Sequence, residues 1–192
     1  LKDREVKLPN KLLVLGNNKK IKLSKDISIE FVNMTHSIPD TALVVIHTPD
    51  GKIVYANDFK LDNSPVIGTK PNYQRIKELG KENVRALIID SLYVHLPRKT
   101  PSEKVAREML KEVLEIDSDK RGVIVTTFSS HMARLKSIIE FGKTMKRRVV
   151  FLGRSLARYT YAAEEVGIVK FSDSVEIVPF KKQIKRKLME IE

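Results

Sequence analysis

Ala42-Leu43-Val44-Val45-Ile46-His47-Thr48-Pro49-Asp50-Gly51-Lys52-Ile53-Val54-Tyr55-Ala56-Asn57-Asp58 decides how the first part of the chain folds. Two apolar, β-branched runs flank Thr48-Pro49-Asp50-Gly51, a stretch with the residues of a tight turn, so the segment predicts a hairpin of strands over 42–47 and 52–57. Ala42 to Ile46 is the longest apolar run in the chain and reads as a buried strand. Upstream, Ile27, Ile29 and Phe31 alternate with polar neighbours, the period of a half-buried strand over 27–33. Residues 1–60 are therefore expected to be strand-rich and mostly antiparallel.

Past a loop containing Asn63, Ser64, Pro65, Gly68 and Pro71 the pattern changes. Pro71 suits the first turn of a short helix over 71–80, and Gly80 is its stop signal. Residues 85–90 form a continuous apolar strand ending at Asp90. Thr100-Pro101-Ser102-Glu103 reads as a capping box opening a helix to about Glu115, with Val105, Met109 and Val113 beside Ala106, Leu110 and Leu114 as its apolar face. A strand over 122–127, a helix over 130–145, a strand over 148–152, a helix over 155–166 ended by Gly167, and a weak strand over 174–178 follow. Strand and helix in alternation imply a parallel α/β layer. No internal repeat or low-complexity tract is visible, and the composition shift places a boundary between residues 65 and 100.

The chain has 192 residues, with 36 Lys and Arg against 24 Asp and Glu, a formal charge of +12. That length suffices for a buried core, and 42% apolar residues exclude wholesale disorder. No apolar run approaches the roughly 20 residues that span a bilayer. The chain contains no cysteine, so disulfides, thiolate metal sites and cysteine nucleophiles are excluded, in keeping with a reducing cytosol. The positive charge favours a polyanionic partner, nucleic acid first, although heat-adapted proteins also load their surfaces with Lys and Arg. There is no initiator Met, and Leu188 to Glu192 reads as an element cut short. The chain is accordingly expected to be a piece of something longer.

Chemistry concentrates where strands end. His36, in a polar loop after the strand over 27–33, suits either a turn cap or a metal ligand. Asp58, ending the hairpin's second strand, is either a turn former or a second ligand able to share a cation with His36. Asp90 sits at a strand's carboxyl end, where an acid can act on substrate or orient a histidine, or simply cap a turn. Two strand-to-helix junctions suit an anion. Ser129-Ser130-His131 offers hydroxyls, a helix N-terminus and an imidazole; Gly153-Arg154-Ser155 offers close backbone approach, a guanidinium fork and a second helix N-terminus. Arg134 and Arg158, one turn inside each helix, would deepen the positive field. Consecutive parallel strands would put both junctions on the same sheet edge. The run Lys181 to Lys187 carries five positive charges and reads as a solvated helix face or tail.

Several of these motifs, in order, resemble one family. His36-Ser37-Ile38-Pro39-Asp40-Thr41 followed by Tyr55-Ala56-Asn57-Asp58-Phe59-Lys60 is similar to the third and fourth metal motifs of metallo-β-lactamase-fold nucleases. Asp90-Ser91 with Thr100-Pro101-Ser102-Glu103 resembles the β-CASP branch of that family. Phe128-Ser129-Ser130-His131 with Arg134, and Gly153-Arg154-Ser155-Leu156, resemble its ribonucleases, the archaeal RNase J branch above all.

The resemblance implies part of a metallo-β-lactamase αββα sandwich over residues 1–97, followed by part of a Rossmann-like β-CASP parallel α/β domain over 98–192. It implies a cytoplasmic, two-zinc phosphodiesterase acting on RNA from its 5′ end, without membrane attachment and with a possible homodimer. His36 would ligate one zinc, Asp58 would bridge both, and Asp90 would orient a catalytic histidine. The metals would lower the pKa of a bridging water and neutralise charge developing on phosphorus. The family's His-x-His-x-Asp-His cluster and later histidine motifs are missing from this sequence, which has four histidines in all. The chain alone is therefore expected to bind zinc poorly and to cleave no RNA. Two other readings stay open: an endonuclease of the 3′-end-processing type, and a non-catalytic module that binds nucleic acid by charge alone.

Overall fold

The computed structural model describes residues 9–116, 122–179 and 181–189. The described residues form two compact units that interleave in sequence: 9–33 with 42–57 and 72–90, and 34–41 with 58–71 and the described residues from 91 onward.

The first unit is a five-stranded sheet of β1 (Lys19–Lys22), β2 (Ser28–Asn33), β3 (Ala42–Thr48), β4 (Gly51–Tyr55) and β5 (Val84–Ile88), in that spatial order. Its first four strands are antiparallel, and β5 joins β4 in parallel. The hairpin forms as its turn residues predict, with Thr48 opposite Gly51. Gly51 has φ +136°, and a side chain there would meet Asn83 O at 2.7 Å, so both backbone conformation and close approach require glycine. Register aligns Val32 with Leu43 and Val45 with Val54, four buried side chains on one face. Strand β1 was not expected: Lys19, Lys20 and Lys22 hide its alternation, and it forms by pairing with β2.

Helix α1 (Tyr73–Leu79) starts one residue after Asn72, whose side chain accepts from Arg75 N, and stops at Gly80. Arg75 forks onto Glu30 at 2.5 and 3.0 Å, and Glu30 also meets His47 at 2.8 Å. Arg75 foremost, with help from His47 and against the cost of burial, holds the Glu30 carboxyl below the usual range. Arg75 and then Lys52 lower Glu82 to about 2.

The second unit contains α2 (Glu103–Ile116), α3 (Met132–Thr144), β6 (Val150–Leu152), α4 (Arg154–Glu165), β7 (Glu176–Val178) and α5 (Lys181–Met189). Strands β6 and β7 pair in parallel. Met132, Leu135 and Ile139 of α3 pack with Phe151, Ala163 and Phe171 as a single core. Phe151 and Phe171 meet edge to face, 6.4 Å between centroids. Arg107 of α2 lies 4.6 Å over the Phe141 ring of α3 and pairs with Glu140, so a stacked guanidinium joins the two helices.

Three expectations are corrected. Residues 122–127 belong to no ladder; Ile124 is 86% exposed. A strand is held by its neighbours, and no described strand lies beside this one. The Ser130 junction therefore does not share a sheet edge with the Gly153 junction, which does follow β6. The α2 stripe is only half used, since Leu114 is buried while Met109 and Val113 are 61% and 65% exposed. The capping box at Thr100 also does not form: α2 begins at Glu103, and Ser102 receives Lys104 N on its hydroxyl and Val105 N on its carbonyl. Strand β5 overlaps the strand expected over 85–90 but ends at Ile88, two residues before Asp90; Leu87 and Ile88 are exposed, and among the described residues β5 pairs with β4 alone.

Candidate functional site

The residues singled out from sequence are placed unevenly. Asp90 follows β5 in the first unit and is exposed. His36 and Asp58 belong to the second unit, in the segments 34–41 and 58–71. A single antiparallel bridge joins those segments at Thr35 and Lys60, with Lys60 N donating to Thr35 O at 2.7 Å and the Thr35 hydroxyl donating to Lys60 O. His36 is one residue from that bridge and Asp58 two, so the pairing carries both toward one place. Both are exposed, and the His36 Nδ1 lies 3.1 Å from the Ser37 hydroxyl. Among the described residues no group of three or more His, Cys, Asp or Glu is placed to hold a metal. A catalytic zinc takes three protein ligands, so His36 and Asp58 do not make such a centre by themselves.

Beside the bridge, Asp62 is 3% exposed. Its Oδ1 accepts from Ser64 N at 2.8 Å and from the Ser102 hydroxyl at 2.5 Å, and its Oδ2 accepts from Glu103 N at 2.7 Å. Lys60 Nζ is 3.6 Å from Oδ2. Burial opposes the charged carboxylate, but the hydrogen bonds from Glu103 N, Ser102 and Ser64, together with Lys60, outweigh it and hold Asp62 below the usual aspartate range. Asp62 thus caps the N-terminus of α2 from a distant loop.

Glu103, 5% exposed, turns its side chain to α3. Arg134 forks onto it, Nε to Oε1 at 2.7 Å and Nη2 to Oε2 at 3.1 Å. His131 Nε2 lies 3.5 Å from Oε2, and His131 Nδ1 accepts from Arg134 N at 3.4 Å, so the histidine is the N-cap of α3. Burial, aided by Arg134 and Lys60 and opposed by Glu103, pushes the His131 pKa below its ordinary value. Neutral imidazole with its proton on Nε2 satisfies both contacts. A cavity of about 30 Å³, room for a water molecule, is lined by Thr35, His36, Lys60, Asp62, Glu103 and His131 among others.

Ser129 and Ser130 are half-buried in the turn before α3. At the other junction Gly153 has φ +127° and ψ 153°, a conformation essentially confined to glycine, and no side chain caps α4. Gly153 N donates to Val178 O at 3.0 Å, and Arg154 and Ser155 open the helix exposed to solvent. Of the basic run, α5 is helical; Lys187 meets Glu176 at 2.9 Å, and the side chains of 181–184 fall outside the described ones.

Sequence reasoning brought out His36 and His131 but missed Lys60, Asp62 and Glu103, which bind the site together. The available signal for Glu103 was its place after Pro101 and Ser102, which assigned it to capping and concealed its partner on α3.

Comparison with known proteins follows the same lines. Residues 120–190 match the family model for the β-CASP domain of ribonuclease J. The chain is 46% identical over 178 residues to ribonuclease J of Methanocaldococcus jannaschii, covering 92% of this chain and 40% of that protein. It is 47% identical over 155 residues to ribonuclease J of Pyrococcus abyssi, covering 80% and 34%, and 37% identical over 155 residues to that of Thermus thermophilus, covering 80% and 26%. The chain therefore spans two fifths or less of these relatives. A solved structure, a protein of unknown function from Enterococcus faecalis, superposes with a TM-score of 0.57 at 20% identity, over 93% of this chain and 43% of that one; it supports the fold alone.

Proposed function

We propose, on the premise that this chain belongs to the RNase J family of β-CASP ribonucleases, that the protein carrying it hydrolyses RNA phosphodiester bonds in RNA processing or decay. The observation that carries the reading is 46% identity across 92% of the chain to an archaeal ribonuclease J. Within it, residues 1–97 form part of a metallo-β-lactamase domain and 98–192 part of the β-CASP domain. The action is 5′-to-3′ exonucleolytic and zinc-dependent, in the cytoplasm, with a possible homodimer. His36 and Asp58 contribute to the metal centre, and Asp90 orients a catalytic histidine. The remaining ligands belong to sequence outside these 192 residues. Ser129, Ser130, His131, Arg134, Gly153, Arg154 and Ser155 grip RNA phosphates, using helix N-termini and a net charge of +12. No helix among the described residues is long and apolar enough to cross a membrane.

The test compares the product of the complete open reading frame with the 192-residue chain, on RNA labelled at either end, with and without a chelator. The complete protein is expected to release mononucleotides from the 5′ end until chelated, and the 192-residue chain to cleave nothing. Internal cuts by the complete protein would favour the endonuclease reading. Salt-sensitive binding without cleavage by either would leave a nucleic-acid-binding module. Chelator-sensitive cleavage by the 192-residue chain would refute the assignment of the missing ligands elsewhere.

A further inference from the structure

Glu103 is a buried carboxylate that the proposed chemistry does not use. It opens α2, yet its oxygens are directed to α3, where both carry one side chain: Arg134 Nε at 2.7 Å and Nη2 at 3.1 Å. A two-pronged pairing fixes the plane of a guanidinium as well as its position. The same carboxylate has His131 Nε2 at 3.5 Å, so it also faces the ring that caps α3. Glu103 is itself immobilised from behind, because its main-chain N–H donates to the buried Asp62. Order therefore passes from the loop after Asp58 through Asp62 and Glu103 to two side chains on the first turn of α3. Arg134 remains partly exposed, at 32% of its side chain, while Glu103 is not. The arginine thus keeps N–H groups available outside the pair.

We propose that Glu103 is a positioning residue, holding the Arg134 guanidinium and the His131 ring in fixed attitudes toward RNA phosphate. The inference rests on the reading of Ser129, Ser130, His131 and Arg134 as phosphate-gripping residues. A salt bridge that served only to join α2 to α3 would make a different prediction: its loss would lower the melting temperature and leave RNA recognition alone in the molecules that remain folded.

The test uses the complete protein with Glu103→Gln and Arg134→Lys, each assayed on a 5′-phosphorylated oligoribonucleotide at a temperature where melting curves show it folded. Glutamine keeps the shape and loses the charge, and lysine keeps the charge and cannot fork. Both are expected to raise KM about tenfold, the scale of one misaligned charge-assisted hydrogen bond, with kcat within about twofold. An unchanged or lowered KM in Glu103→Gln, with or without a lower melting temperature, would overturn the proposal, since removing a negative charge by itself strengthens attraction for RNA. If the wild-type protein cleaves no RNA, the functional reading has failed, and the positioning role is decided by fluorescence anisotropy with the same oligonucleotide. There a tenfold weaker Kd in both variants supports it, and equal or tighter binding refutes it.

Discussion

The two helix entries of the second unit, before α3 and before α4, carry similar residue chemistry and fold in opposite ways. At Ser129-Ser130-His131 the helix is capped by an imidazole, and the arginine one turn in is forked onto a buried glutamate. At Gly153-Arg154-Ser155 no side chain caps the helix, the glycine is left-handed, and the polar side chains are exposed. The first junction is braced by groups distant in sequence; the second depends on one backbone conformation. Anion-binding residue types therefore do not by themselves say whether a site is braced or open.

The strongest way to break the contrast is Asp62→Ala, which strips the brace from the first junction. Glu103 N, the Ser102 hydroxyl and Ser64 N would lose a buried acceptor, an expected cost of about 2–4 kcal/mol, read by urea denaturation. A loss below about 0.5 kcal/mol, the level of an ordinary surface substitution, would mean that the cap is dispensable.

Gly153→Ala attacks the second junction. No atom lies within 4 Å of the added Cβ, so the whole penalty is the φ of +127°, expected at about 1–3 kcal/mol and visible as a lower melting temperature. Gly153→Ala with unchanged stability would show that the turn relaxes without cost. Because Asp62 and Gly153 share no contact among those described, their effects are expected to add.

The smallest effect separates the junctions by pH. Burial holds His131 below its ordinary pKa, so as the pH falls below about 6.5 the unfolded chain takes up the proton before the folded one. The stability His131 allows above that pH is lost as the pH falls toward its lower folded value. His131→Asn retains a good helix cap and removes the titration. Melting temperatures between pH 7 and pH 5 are expected to fall less in this variant than in the parent, and parallel curves would show that His131 contributes nothing to the acid response.

What was legible in the sequence was local. Thr48-Pro49-Asp50-Gly51 sets the hairpin because turn chemistry acts over four residues. Gly80 and Gly167 mark helix ends, and the period of Met132, Leu135 and Ile139 selects the buried side of α3. His36 and Asp58 were nominated from strand ends, and the Thr35 to Lys60 bridge carries their segments together. Residues 122–127 were misread because an apolar run has strand character whether or not a neighbouring strand is there to pair with it.

The sequence by itself determined the antiparallel start, the helices and strands after residue 70 other than the strand expected over 122–127, the excess of positive charge and the motif order that resembles the ribonucleases. These depend on neighbours within a few residues or on composition. Only the tertiary structure decided that Glu103 serves Arg134 rather than a capping box, that Asp62 closes α2 from 41 residues away, and that one junction is braced while the other stays open. Those outcomes depend on which buried donors and acceptors meet, and a buried carboxylate takes whatever partner the packing brings, at a separation that no local pattern encodes.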